Sequence, residues 1–138
     1  MSSIRVHHLS LLLKPLTNLE LERAVRSLHI PHFRGVFMSD DLPPRPRSTE
    51  CGILNHDDLA GPGTHWTCWF KDGPRRIYFG PYGLPPPTEL RRYLGLPIDH
   101  NTDEVQPRGS VICGHLCLYV LKRLSEGWTF EDVVFSLL

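Results

Sequence analysis

The chain has 138 residues, of which 41% are hydrophobic, so it can fill one core but hardly two. Fifteen Lys and Arg balance fifteen Asp and Glu, and the zero formal charge gives no bulk support for coating a nucleic-acid duplex. No apolar run approaches the ~20 residues of a membrane span, and no signal-peptide pattern opens the chain. We expect a single soluble domain over residues 1–138, without a membrane partner.

The first half of the chain predicts one helix followed by short strands. Thr17 offers an N-cap and Glu20 completes a capping box, which predicts a helix over 18–28. Residues 1–14, ahead of it, are expected to be an edge strand or a disordered tail. Runs of β-branched and aromatic residues, broken by turn residues, predict strands at 34–38, 51–55, 64–70 and 75–79, the last three forming an antiparallel meander.

The second half predicts helices on both sides of a polar loop. An apolar stripe predicts a buried helix that begins near Cys113 and is ended by Gly127. The predicted elements are a short helix at 88–94, a loop at 99–110, the buried helix at 113–124 and a final helix at 130–138 capped by Thr129. The fold class is therefore α+β, with a small, mainly antiparallel sheet packed on one central buried helix.

Cys113 is the residue best placed for chemistry, because it lies where a loop becomes the first turn of the buried helix. Unpaired N–H groups and the helix dipole favour a thiolate there, which predicts a lowered pKa for Cys113. The alternative is a small buried hydrophobic residue. Cys117 is expected in the core, and Cys51 and Cys68 are expected as thiols on neighbouring strands. The C-x-H-x-C spacing is poor for zinc, so no metal site is predicted.

Two further side chains could act with this thiol. His65 lies in the aromatic strand and could be the base that takes the proton of Cys113, although a lone strand histidine is more often structural. Gln106 lies seven residues before Cys113 and is the only glutamine in the chain. Its amide could donate to the oxyanion of a tetrahedral intermediate, beside the backbone N–H of Cys113.

These residues stand in three runs whose order and spacing form a pattern. The runs are Gly63-Thr64-His65-Trp66, then Tyr78-Phe79-Gly80-Pro81-Tyr82-Gly83, and then Gln106 followed by Cys113-Gly114-His115-Leu116-Cys117. Together they resemble the adenovirus protease (adenain) family, most closely the adenain-like proteases of Maverick/Polinton elements and related viruses. A more distant resemblance is to the ubiquitin-like-protein-specific proteases. The resemblance covers residues 16–124 and implies a papain-like or adenain-like fold with the nucleophilic cysteine at the start of the central helix.

The resemblance also implies roles for single residues. Cys113 would be the nucleophile, His65 the general base and Gln106 an oxyanion donor. Trp66 would be a wall of the substrate groove, with Gly114 also at the substrate site. From its residue type alone, Trp66 can equally be a core aromatic residue.

The sequence departs from the family at the acid that orients the histidine, since that position corresponds to Gly80. Three interpretations remain open. The site can work as a Cys-His dyad, because a prepared thiolate depends less on its base than a serine does. Another side chain, such as Asp58, Asp72 or Asn55, can reach His65 instead. Alternatively, the chain is a homologue without activity that still binds a substrate-like tail.

The function implied by the resemblance is that of a cysteine endopeptidase that cleaves at Gly-containing sites. Its substrates would be virus-like or capsid precursor proteins, and it would act inside the host nucleus or cytoplasm, or in the virion. The competing class is a catalytically weakened or inactive homologue that serves as a peptide-binding or structural module.

Cofactors and further partners follow from the same resemblance. We predict no required cofactor, although the adenovirus enzyme uses DNA and a peptide activator. The activator is tethered through a cysteine, and residues 82–106 contain none. Three basic pairs could form a local nucleic-acid patch or simply a solvated surface. They are Arg75-Arg76, Arg91-Arg92 and Lys122-Arg123.

Overall fold

The structure, a computed structural model, describes residues 16–57, 64–105 and 111–138. The predicted tail at 1–14, Asp58 and Gln106 lie outside the described residues. Within those ranges the chain forms an α+β fold, as predicted. The strands are β1 (Phe33–Met38), β2 (Thr49–Asp57), β3 (Thr64–Asp72), β4 (Arg75–Phe79) and β5 (Asp99–His100), and the helices are α1 (Asn18–Ser27), α2 (Thr88–Leu94), α3 (Cys113–Ser125) and α4 (Phe130–Leu137).

The five strands form one sheet in the order β1-β2-β3-β4-β5. β2, β3 and β4 are antiparallel neighbours, which confirms the predicted meander, and Phe70 lies opposite both Cys51 and Ile77. β1 joins β2 in parallel, and β5 joins β4 in parallel. The prediction of a loop throughout 99–110 was wrong at its start. Asp99 and His100 pair with β4, because the outer edge of β4 would otherwise leave its N–H and C=O groups without partners in the sheet.

Helix α3 packs on one face of the sheet and forms the predicted central buried helix. Cys117 is fully buried, as expected, and the Sγ of Cys68 contacts the Cys117 carbonyl at 3.9 Å. Cys51 and Cys68 are buried free thiols on neighbouring strands, which confirms that prediction. The fully buried members of this core include Leu21, Ile53, Phe79, Cys117, Val120, Leu121 and Val133.

The other face of the sheet carries a smaller core and a buried carboxylate. The ring of Trp69 lies over Gly52 so closely that no side chain fits at that position. The Trp69 indole N–H donates to Glu50 at 2.9 Å, and Glu50 also accepts from Arg34 at 2.9 Å and from the Tyr93 hydroxyl at 2.7 Å. We call Glu50, Arg34, Trp69 and Tyr93 the Glu50 cluster. It ties α2 to the first three strands.

The helix ends follow the capping signals of the sequence. The Glu20 N–H donates to Thr17 Oγ1 at 3.1 Å and the Thr17 N–H donates to Glu20 Oε1 at 3.0 Å, so the capping box is present. Thr129 caps α4 by accepting from the Asp132 N–H at 3.1 Å. Among the described residues, no helix combines the length and the apolar character needed to cross a bilayer.

Candidate active site

The thiol of Cys113 lies at the first residue of α3, against the start of β3. Cys113 is 5% exposed, and its Sγ accepts a hydrogen bond from the backbone N–H of Trp66 at 3.5 Å. That nitrogen belongs to the peptide bond that joins His65 to Trp66. The two residues predicted to react are therefore brought to the same short stretch of the sheet, although 48 positions separate them in the sequence.

The direction of this hydrogen bond places the sulfur at one edge of the sheet. Strand N–H groups lie roughly in the plane of the sheet, so the sulfur lies beside β3 and not under it. β4 ends at Phe79, opposite Cys68, so this edge of β3 is uncovered by β4 at Trp66. The segment that follows β4 carries Tyr82, whose ring contacts His65. The sulfur of Cys113 thus lies at this edge of β3, next to the peptide bond between His65 and Trp66.

Burial and backbone donors act on the thiol in opposite directions. Burial raises the pKa of Cys113, while N–H groups of Trp66, Gly114 and Cys113 itself lower it. The burial effect is the larger one, so the pKa of the thiol lies above its ordinary value. The predicted lowering of this pKa was wrong, because the sequence reveals the helix start but not how deeply the sulfur is covered.

His65 is half-buried, and two other rings lie near its own ring. The Tyr82 ring is stacked on it with centroids 4.4 Å apart and planes 6° apart, and the His56 ring lies 6.0 Å away. Burial, with a smaller effect of the neighbouring His56 in the same direction, lowers the pKa of His65 to about 4. At neutral pH the imidazole of His65 and the thiol of Cys113 are therefore both uncharged.

The space beside Gly80, the position of the missing acid, contains a neutral pair of side chains. A side-chain carbon built on Gly80 would lie 3.3 Å from the Tyr78 hydroxyl, which is 3.2 Å from His56 Nε2. Asn101 holds the Gly80 backbone, with its Oδ1 accepting from the Gly80 N–H at 3.0 Å and its Nδ2 donating to the Gly80 carbonyl at 2.7 Å. No described side chain therefore supplies a carboxylate at this position.

Two of the substitute partners suggested for His65 are not placed for that role. Asp72 ends β3, seven residues from His65, and accepts from Thr49 Oγ1 at 3.3 Å. Asn55 pairs with Trp66 and lines a cleft beside it, on the opposite side of its strand from His56. The third candidate, Asp58, lies outside the described residues.

Trp66 is both a core residue and part of a cleft wall, so the two interpretations given for it from the sequence are compatible. It is 3% exposed, and its indole N–H donates to the Leu16 carbonyl at 3.0 Å. A side chain on Gly114 would meet Trp66 at 3.2 Å and Leu21 at 3.3 Å, so a glycine lets α3 approach this ring closely. The adjoining cleft has a volume of about 390 Å³ and is lined by residues 16–18, residues 36–38, Asn55 and Trp66.

Sequence reasoning missed four residues around His65. Tyr82 and Tyr78 stood in a run used only for its family resemblance, and Asn101 stood in a segment predicted as loop. His56 could have been found, because a hairpin closed between 57 and 64 places it opposite His65. Ring stacking across a turn has no comparable sequence signal.

Three cations of the basic pairs are engaged in contacts within the fold. Arg76 donates to the Leu94 carbonyl at 2.8 Å, Lys122 donates to the Leu28 carbonyl at 2.7 Å, and Arg123 is 5% exposed and paired with Glu126 at 2.6 Å. These cations are already committed to the fold. Within the described ranges, no group of three His, Cys, Asp or Glu residues is arranged to hold a metal ion.

Comparison with known proteins identifies a fold. No protein-family model and no curated protein matches the chain. A crystal structure of ASFV pS273R protease is similar with a TM-score of 0.63 and 17% identity over 88% of this chain and 61% of that one. A selenomethionine structure of the same protease gives 0.52 and 21% over 65% and 39%. The chain thus spans less than two thirds of these neighbours, with which it shares the protease fold.

Proposed function

We propose that the protein is a cysteine endopeptidase in which Cys113 is the nucleophile and His65 the general base. The observation that carries the proposal is the 3.5 Å contact between Cys113 Sγ and the nitrogen of the His65–Trp66 peptide bond. It joins the start of the central helix to the strand that bears the imidazole. The fold shared with a viral protease supports the same conclusion.

In the proposed reaction the thiol proton passes to His65 as the sulfur attacks the substrate. The sulfur attacks the peptide carbonyl, and the negative charge passes to the carbonyl oxygen. The Cys113 N–H would stabilise that oxyanion, together with the Gln106 amide if the family resemblance holds at that position. The imidazolium then gives its proton to the leaving amine, and water, activated by the same imidazole, hydrolyses the thioester and restores the thiol.

The electrostatics favour proton transfer during attack over a preformed ion pair. The pKa of the thiol is raised and that of the imidazole is lowered to about 4, so charge separation at rest is disfavoured. Hydrolysis should therefore require a neutral His65 and should depend strongly on the base. Removing the imidazole would leave a poorly ionised thiol at neutral pH.

The substrate we propose is an extended protein segment with glycine beside the cut, in virus-like or capsid precursors. The cleft beside Trp66 supports an extended occupant, since it opens next to the residue that contacts the nucleophile. Asn55 lies on the wall of this cleft together with Trp66. Action inside the host cell or the virion, without a required cofactor, completes the proposal.

The second candidate is a peptide-binding or structural module that has lost catalysis. Gly80 and the raised pKa of Cys113 favour it, because residue 80 supplies no orienting acid and the thiol is not ionised at rest. Such a module would keep the cleft but would not cleave what it binds.

Hydrolysis of a fluorogenic peptide with a Gly-Gly site separates the two candidates. We expect cleavage by the wild type and a loss of at least about 10³-fold in Cys113→Ala, because the nucleophile is absent. Cys51→Ala removes a buried thiol away from the site and should retain activity. Binding of the same peptide, measured by fluorescence anisotropy, without cleavage by any form would contradict the protease and favour the module.

A further inference from the structure

The stacked pair of His65 and Tyr82 is the tightest ring contact at the candidate site. The rings are nearly parallel at 4.4 Å, whereas the His56 ring is 6.0 Å from His65 and tilted by 60°. Face-to-face contact at this distance keeps the two ring planes parallel and restricts the rotation of each ring. Holding an imidazole in a fixed orientation is part of what a carboxylate does in a catalytic triad.

Tyr82 is itself presented by a fixed turn. The Gly83 N–H donates to the Gly80 carbonyl at 2.9 Å, which closes the turn around Pro81 and Tyr82. The side chain of Asn101, 4% exposed, bonds to both the N–H and the carbonyl of Gly80. With the bond from the Val105 N–H to the Pro81 carbonyl at 2.9 Å, four hydrogen bonds anchor the backbone that carries the Tyr82 ring.

The space beside residue 80, the position that corresponds to the family's orienting acid, is already occupied by another side chain. A side chain at position 80 would point towards the Tyr78 hydroxyl, and that hydroxyl is bonded to His56. Neither group carries a negative charge at neutral pH, so this pair cannot stabilise an imidazolium as a carboxylate would. The orientation of His65 must come from another contact.

We infer that Tyr82 is a positioning residue for His65 and supplies, by stacking, the ring orientation that Gly80 cannot provide. The inference rests on the proposed protease function only for its effect on rate. Stacking fixes the plane of the imidazole but does not select which nitrogen carries the proton. It therefore replaces part of the role of the missing acid.

The test compares Tyr82→Leu, which removes the stack, with Tyr82→Phe, which keeps it. We expect Tyr82→Leu to lower kcat about 2- to 10-fold with little change in KM, the range that corresponds to one aromatic pair. Tyr82→Phe should stay within about twofold of the wild type on the same grounds. Tyr119→Leu, which removes a tyrosine on α3 away from His65, is the matched control and should leave kcat unchanged.

NMR of the imidazole gives a readout that does not depend on proteolysis. Three-bond couplings should report one side-chain rotamer of His65 in the wild type and in Tyr82→Phe, and rotamer averaging in Tyr82→Leu. The pKa of His65 should also rise towards its ordinary value when the covering ring is lost. If a folded Tyr82→Leu protein keeps the wild-type couplings and titration, the inference is wrong. If the wild type cleaves no peptide, the protease proposal fails while this measurement still decides the role of Tyr82.

Discussion

The two ends of the β2–β3 strand pair place ionisable groups in opposite environments, one charged and one neutral. At one end the Glu50 carboxylate is 1% exposed and accepts from Arg34, from the Arg47 N–H at 2.7 Å, from Trp69 and from Tyr93. At the other end, six residues or about 20 Å along β2, rings of neutral histidine and tyrosine surround the reactive edge.

The contrast shows at which end of the strand pair the fold contains a buried charge. A carboxylate that is removed from water must be paired with donors, and Glu50 has four of them holding elements of the fold together. The site around His65 depends on stacking and burial instead, and the Glu89 carboxylate only partly offsets the lowered pKa of the neighbouring His56. The charged end is therefore built for stability, and the neutral end leaves its polar groups available for proton transfer.

The largest expected effect at the neutral end is loss of the base. His65→Gln should lower kcat/KM about 10²- to 10⁴-fold, because the thiol is poorly ionised without a group to take its proton. The matched variant is His56→Gln, on the opposite strand, which should change kcat/KM by less than about tenfold, since His56 only borders His65. Equal losses in both variants, measured by peptide hydrolysis, would show that the two histidines act as a unit.

The charged end should instead respond in stability. Glu50→Gln is expected to lower the free energy of unfolding by about 3 kcal/mol, because it leaves Arg34 with a neutral partner in a buried setting. Asp72→Asn, on an exposed pair with Thr49, should change it by less than about 0.5 kcal/mol. Urea denaturation checks both values. A Glu50→Gln protein that is as stable as the wild type would remove the distinction between the two ends.

Introducing a charge at the neutral end should sharpen the comparison. Gly80→Asp should raise kcat about tenfold, because a carboxylate beside His65 and His56 stabilises the imidazolium formed during attack. The new side chain must displace the Tyr78 hydroxyl by a few tenths of an ångström. The pKa of His65 should rise, and Gly80→Asn should cause neither change. Unchanged hydrolysis in Gly80→Asp would mean that residue 80 does not reach the imidazole.

The last prediction concerns stability in acid. Because the pKa of His65 lies near 4 in the folded chain and near 6.5 when unfolded, the unfolded chain binds more protons between these values. Stability should therefore fall as the pH drops from about 6.5 towards 4, and burial of His56 acts in the same direction. In His65→Gln the thermal midpoint should fall less over this window. An identical pH dependence in both proteins would place His65 in solvent.

Sequence patterns predicted the backbone well and the chemistry of the site only in outline. The capping box at Thr17, the meander and the buried helix at Cys113 are local or periodic signals, and all three are present. The burial of the Cys113 sulfur depends on long-range packing, and this burial outweighs the backbone donors and reverses the predicted pKa shift. Strand β5 was missed because two polar residues carry no strand signal.

Covalent capture of the nucleophile tests the central claim most directly. The protein is incubated with a peptide that ends in Gly-Gly and carries a thiol-reactive electrophile in place of the scissile bond, and the adduct is located by mass spectrometry. The account predicts one adduct, on Cys113 and on none of Cys51, Cys68 and Cys117, with a rate that falls at least about 10²-fold in His65→Gln. Labelling that is equally fast in His65→Gln, or that is absent from a folded wild type, would contradict it.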